Sequence, residues 1–348
     1  MDGYHSSVSL QRTGLHVWAL LTLAVTFLLL CSGGIVTSKG VGMSVPDWPT
    51  TYGYNMFLFP ISGWVGGIFY EHSHRLIASG VGLLTMILAA WTLYVEPRRW
   101  VRNLAVIAFL AVCLQGLLGG LRVSLYKDEI GIFHAMLAQS FFSLLGILAV
   151  VTSPRFILRK WDVFLPDRVL RNLVTAATLA IFVQLALGAT MRHEHAGLAI
   201  PDFPLAYGKI LPDTSAVAIS EINAKRMADD QVPTSAVQIW VQMAHRGVAC
   251  LILVLVAAAA YRAFTNIPAR PAAFWCGVWL SMIFAQVLLG AWTIWSNKAA
   301  DVATTHMALG ALSLFTGVLL SYRLHRGAQV GRFAIPDFSA PTAFANMA

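Results

Sequence analysis

Four histidines, His74, His134, His245 and His306, recur as two matched pairs, each at the same end of a predicted membrane helix. His74 and His134 are 60 residues apart, and His245 and His306 are 61 apart. The first member of each pair precedes an arginine, in His74-Arg75 and His245-Arg246. The second sits in similar surroundings, Phe133-His134-Ala135-Met136 and Thr305-His306-Met307-Ala308. Two imidazoles at one depth between helices supply the axial ligands of a flat iron macrocycle, and the duplication predicts two such sites. A lone histidine in a span most simply makes an interhelical hydrogen bond; a paired register of four goes beyond that. Zinc fits poorly, because neither pair has cysteine or carboxylate nearby apart from Glu71. The remaining histidines carry less. His5, His16 and His325 flank span ends, His72 points about 160° away from His74 around a helix, and His193 and His195 read as solvated loop residues.

The elements that position these rings are legible in the composition. Of 348 residues, 57% are hydrophobic and 11% charged, with mean hydropathy +0.68, which excludes a soluble globule. Eight apolar runs are long enough to cross hydrocarbon, at 17–38, 76–95, 103–121, 130–153, 172–191, 234–261, 271–295 and 302–322. The expected fold class is an all-α membrane protein with eight transmembrane helices. The net charge of +8 does not imply nucleic acid, because the basic residues gather in alternate connections: Arg98, Arg99 and Arg102; Arg155 to Arg171; Arg262 and Arg270; Arg323 to Arg332. Short basic connections stay cytoplasmic, so both termini are expected there and the four histidines towards the periplasmic side. Residues 1–15 show neither a cleavable-signal layout nor an Arg-rich transit stretch, and a bacterial inner (cell) membrane is the expected location. Cys31, Cys113, Cys250 and Cys276 all fall inside predicted spans and read as small core residues.

The chain repeats itself. Pro46-Asp47-Trp48-Pro49 returns as Pro201-Asp202-Phe203-Pro204 at an offset of 155. His74-Arg75 returns as His245-Arg246, and Gln115 with its Gly119 returns as Gln286 with Gly290, both at 171. The jump places about 16 extra residues in the second large loop. Two duplicated four-helix bundles in the same orientation follow: 1–154, then a cytoplasmic linker 155–171, then 172–326, with a C-terminal tail 327–348.

The halves differ at one informative place. Glu71-His72-Ser73-His74-Arg75 in the first becomes Gln242-Met243-Ala244-His245-Arg246 in the second. A group three residues before the ligand lies over the same helical face. An ionisable side chain there is a functional candidate, whereas the amide bonds without moving protons. The first half is expected to do chemistry and the second to hold a cofactor. A carboxylate that merely complements a helix N-terminus is the simpler use of Glu71. Arg75 and Arg246, at the bilayer boundary, are suited to pair with macrocycle carboxylates. Arg122, Lys127 and Arg192 lie at the same level, where interface anchoring explains them as well.

The Glu71–Arg75 motif, the two Pro-Asp-aromatic-Pro loops, the four spaced histidines and the eight-span duplication together resemble the haem A synthase family, over about residues 33–314. The resemblance implies oxidation of the C8 methyl of haem O to a formyl group in two steps, giving haem A for terminal oxidases. It implies a haem b cofactor on His245 and His306 and substrate haem O by His74 and His134, with Glu71 as the important acidic residue. It further implies exchange of substrate within the bilayer with the farnesyl-transferring haem O synthase; partners otherwise are membrane lipid, no nucleic acid, and a second copy of the chain as an open option. Cysteine pairs that flank the Pro-Asp loops in some members are missing here: Met43, Ser44 and Val45 precede the first loop, Ala199 and Ile200 the second. Two rivals remain at this level. One is a quinol-linked di-haem b electron carrier, in which the Glu71/Gln242 asymmetry has no role; the other is a duplicated transporter, which would place broken helices and charges near mid-membrane.

Overall fold

The computed structural model describes residues 2–157 and 167–334, so most of the expected linker and the last part of the tail lie outside the described residues. The elements are α1 (Asp2–Ser38), a two-stranded antiparallel pair β1 (Thr50–Thr51) and β2 (Tyr54–Asn55), α2 (Gly66–Val95), α3 (Arg99–Ser124), α4 (Glu129–Thr152) and a short α5 (Pro154–Ile157). They continue with α6 (Arg168–His193), α7 (Ala216–Ala228), α8 (Ala236–Thr265), α9 (Ala273–Trp295) and α10 (Ala300–Ala334). Eight of these helices, all but α5 and α7, are long and apolar enough to cross a membrane.

Two departures from the sequence expectation matter. The second span begins at Gly66 rather than 76, because Glu71 and Arg75, which ended the apolar run, pair with each other and continue the helix. The extra residues of the second loop are taken up by α7, started by the Ser215 hydroxyl accepting from the Ala218 N–H and burying no side chain of its own. The chain then re-enters the bundle through a reciprocal capping box between Ser235 and Gln238.

The helices close into two cores. One joins α1 to α4 through Leu15, Val81, Leu88, Leu145 and Leu148; the other joins α6, α8, α9 and α10 around Trp279, whose indole N–H donates to the Ser313 carbonyl at 2.9 Å. In lipid every polar group must find a partner within the protein. The buried Thr26, Thr85, Thr92 and Thr178 accordingly donate to the carbonyl four residues back. Small residues bring the halves together: the Phe315 ring lies on Gly146, and Met307 and Thr304 lie on Gly34. Cys31, Cys113, Cys250 and Cys276 are all free.

Candidate functional sites

His74 lies on α2, His134 on α4, His245 on α8 and His306 on α10, between one and three turns into each helix. At 1.5 Å per residue that is roughly 8–14 Å below the helix start. His74 and His134 are close enough to interact electrostatically, and so are His245 and His306. Each ring rests on a glycine of a neighbouring helix. A Cβ on Gly33 (α1) would stand 3.0 Å from His74 Cε1, and one on Gly119 (α3) 3.3 Å from His134 Cε1. In the other half a Cβ on Gly188 (α6) would stand 3.4 Å from His245 Cε1, and one on Gly290 (α9) 3.3 Å from His306 Cε1. The four glycines obey the repeat, Gly33 to Gly188 at 155 and Gly119 to Gly290 at 171. The backbone near each second histidine is also held alike, Gln115 Nε2 donating to the His134 carbonyl and Gln286 Nε2 to the His306 carbonyl, both at 3.0 Å.

This arrangement fits an axially ligated macrocycle. All four Nδ1 atoms are buried without a hydrogen-bond partner, although a buried ring nitrogen normally has one. No group of three or more His, Cys, Asp or Glu side chains suited to a metal ion occurs among the described residues. The glycine cradles keep helix side chains away from the space beside each ring.

The Pro-Asp loops are clamped to the histidine-bearing helices α2 and α8 by the residues that precede and follow the first histidine of each pair. The Glu71 carboxylate accepts from the Val45 N–H at 2.8 Å and from Arg75 Nη2 at 2.7 Å. Arg75 also donates to the carbonyls of Val45, Asp47 and Thr50. In the second half the Gln242 amide does the same work, its oxygen accepting from the Ile200 N–H at 2.7 Å and its nitrogen donating back to the Ile200 carbonyl at 3.3 Å. Arg246 donates to the carbonyls of Asp202 and Leu205. The pairing with macrocycle carboxylates that position predicts for Arg75 and Arg246 competes with these bonds, because the structure engages their Nη donors with the loops. Within the loops Asp47 accepts from the N–H groups of Tyr52 and Gly53, and Asp202 from those of Tyr207 and Gly208. The Trp48-Pro49 and Phe203-Pro204 peptides are both cis. Trp48 packs on Gly120 of α3 beside the first site, while Phe203 meets the Trp295 ring edge-on at 6.2 Å beside the second.

The sequence profile described as cytochrome oxidase assembly protein matches residues 59–319, three-quarters of the chain. The chain belongs to the COX15-CtaA family. Among relatives bearing the name heme A synthase, that of Shewanella oneidensis is 26% identical over 341 residues, covering 90% of this chain and 98% of that protein. That of Geobacillus kaustophilus is 29% identical over 322 residues, covering 87% and 88%, and that of Bacillus cereus 27% over 299, covering 83% and 86%.

In this family member four groups, His193, Arg122, Arg192 and His72, make contacts that their places in the sequence do not foretell. His193 was expected to be solvated; its ring instead packs onto Gly131 of α4, three residues before His134, with Nδ1 3.8 Å from Asp128. His195 is exposed, as expected. Arg122 pairs with Asp128 at 2.8 Å, and this hydrogen bond holds the Asp128 carboxyl below its usual range. Arg192 donates to the Ser38 hydroxyl across the two halves and interacts with His306, while Lys127 is exposed. His72 is fully buried, its Nδ1 3.2 Å from the Thr51 hydroxyl and its ring enclosed by Phe59 and Trp64. Only Gly131 and the short α3–α4 connection hinted at the His193 contact, since packing between halves has no periodic signature.

Proposed function

We propose that this protein is a haem A synthase, oxidising the C8 methyl of haem O through a hydroxymethyl and a hydrate that loses water to a formyl group. The observation that carries the reading is a pair of matched imidazole sites in one chain, of which only the first has a carboxylate, Glu71, three residues before its leading histidine. Residues 1–154 form the substrate half, with haem O between His74 and His134. Residues 172–326 form the cofactor half, in which His245 and His306 would hold haem b. When bound, haem b supplies one-electron redox chemistry next to the substrate half. The clamps of Arg75 and Arg246 seat each loop beside its site and limit access of water. Glu71, tied to Arg75, stabilises positive charge developing at the methyl carbon or takes up its proton. The location we assign is a bacterial inner membrane with basic connections in the cytoplasm and both sites towards the periplasm. Haem O synthase is then the natural supplier of substrate within the bilayer.

The test is the haem content of the native protein, purified from membranes and analysed by acid extraction and chromatography. Haem B together with haem O, its hydroxylated form or haem A is expected; haem B alone at two equivalents per chain, unchanged when haem O is supplied, would assign an electron carrier instead.

A further inference from the structure

The α1–α2 loop and the α6–α8 loop share a turn and differ in the surface they present. From Trp48 to Tyr70 the first contains no charged residue and eight aromatic ones. From Phe203 to Val232 the second contains seven charged residues and two aromatic ones. Both loops expose apolar side chains, but those of the first, Phe57 at 67%, Leu58 at 76%, Ile61 at 83% and Val65 at 61%, form a stretch without charge, whereas Ile210, Leu211, Val217 and Met227 of the second are interspersed with charged residues. Those of the first stand on a fixed base. Tyr52 stacks on Phe59 at 6.2 Å, and Phe59 and Trp64 pack against buried His72 at 5.1 and 4.8 Å. The β1–β2 pair and the Asp47 turn shape the base, and Arg75 and His72 of α2 hold it through the Asp47 and Thr50 carbonyls and the Thr51 hydroxyl. The exposed stripe continues through Phe69 into Leu83 and Met86, on the outward face of a membrane-spanning helix.

A rigid apolar patch of this kind is unfavourable in water, and aromatic residues gather where headgroups meet acyl chains. We propose that residues 57–69 seat in the headgroup–acyl boundary of the leaflet at the histidine end of the bundle, whereas the charged α6–α8 loop with α7 stands in water. Lipid is the occupant because the patch is continuous with the bilayer-facing surface and lacks any charge that would pair with a soluble partner. Through Glu71, Arg75 and Val45 the lipid-seated segment is fastened to the helix that carries His74, so the first site borders lipid and the second borders water.

The native full-length chain in phosphatidylcholine–phosphatidylglycerol vesicles tests this directly. It is labelled by a photoactivated carbene confined to the lipid phase and, separately, by hydroxyl radicals in water, and the peptides are mapped by mass spectrometry. Peptides covering 57–69 should take up lipid-phase label at least about fivefold above those covering 209–230, with the order reversed for water-phase label. A second measurement places a fluorophore on Ile61→Cys or Met227→Cys in a chain whose four native cysteines are alanine. Spin-labelled lipid should quench the first and aqueous iodide the second. Equal water-phase labelling of both loops overturns the proposal. Protection of 57–69 from both phases also overturns it, since protein would then cover the patch. If the cysteine-free chain does not fold, the native-chain labelling decides alone.

Discussion

In the first half a carboxylate, Glu71, ties the ligand helix to its loop; in the second an amide, Gln242, makes the corresponding bonds from the corresponding position. Loop fastening therefore does not explain the acid, because Gln242 fastens equally well. What differs is charge. Arg75 is buried and has Glu71 as its counter-ion, whereas Arg246 is less buried and leans over the Phe203 ring at 5.5 Å with no carboxylate bonded to it. A buried guanidinium stripped of its partner costs about 3–5 kcal/mol, so Glu71 has one structural reason to be acidic. The comparison separates this reason from chemistry, because the two make different demands on a Glu71→Gln chain.

The largest expected effect is on the proposed iron ligands. His245→Ala or His306→Ala should lower the resident haem at least about tenfold in a pyridine haemochrome assay, while His74→Ala should leave it in place. Equal loss from all three variants would dissolve the distinction between the halves. Next comes Glu71→Gln, which makes the first half like the second. Haem A formation should fall by about two orders of magnitude or more with resident haem retained, and Gln242→Glu should leave product unchanged. If the Glu71→Gln chain loses product only in proportion to folded protein, measured by thermal unfolding in detergent, the acid serves Arg75 alone.

The cradles sharpen the comparison more finely. A methyl group on Gly33 would meet the His74 ring at 3.0 Å, tighter than real contacts usually are, while one on Gly188 would meet His245 at 3.4 Å. Gly33→Ala should cut product formation by about tenfold through an overpacked ring, with resident haem unchanged. Gly188→Ala should alter resident haem by less than about twofold. Reversal of these sensitivities would place the stricter geometry in the other half.

Two of these cradles were legible in the sequence, since Gly119 and Gly290 share the repeat's offset of 171, whereas Gly33 and Gly188 stand out only once the rings are seen to rest on them. The eight spans were legible because hydrocarbon admits so few charges that each crossing stands out. The start of α2 was not. Glu71 and Arg75 read as the end of an apolar run, and only the loop carbonyls that fill the arginine's donors make them tolerable inside a helix. The contacts of His193 with Gly131, and of Arg192 with Ser38, were equally hidden, because they join elements from different halves and no internal repeat predicts them. Repetition made the sites visible; what lies between the sites needed coordinates.

The smallest expected effect lies in the loop itself. Partial burial works to raise the Asp47 carboxyl, yet hydrogen bonds from Gly53, Thr50 and Tyr52 outweigh it and hold the group below its ordinary range. A carboxyl whose folded value is depressed stabilises the fold fully above its unfolded value, about 3.9, and loses that contribution as pH falls through the folded one. The first loop should accordingly stay closed at neutral pH and loosen only below about pH 4. Amide hydrogen exchange at Tyr52 and Gly53 would report this as faster exchange on acidification, after correction for intrinsic rates. Asp47→Asn should show raised exchange at neutral pH and no further acid step. The Arg122–Asp128 pair titrates in the same direction, but it is on the α3–α4 connection and does not reach the two amides. An acid step that survives Asp47→Asn would remove the origin of the loop's pH response from the turn, and would show that the first loop is held from the bundle side rather than by its own aspartate.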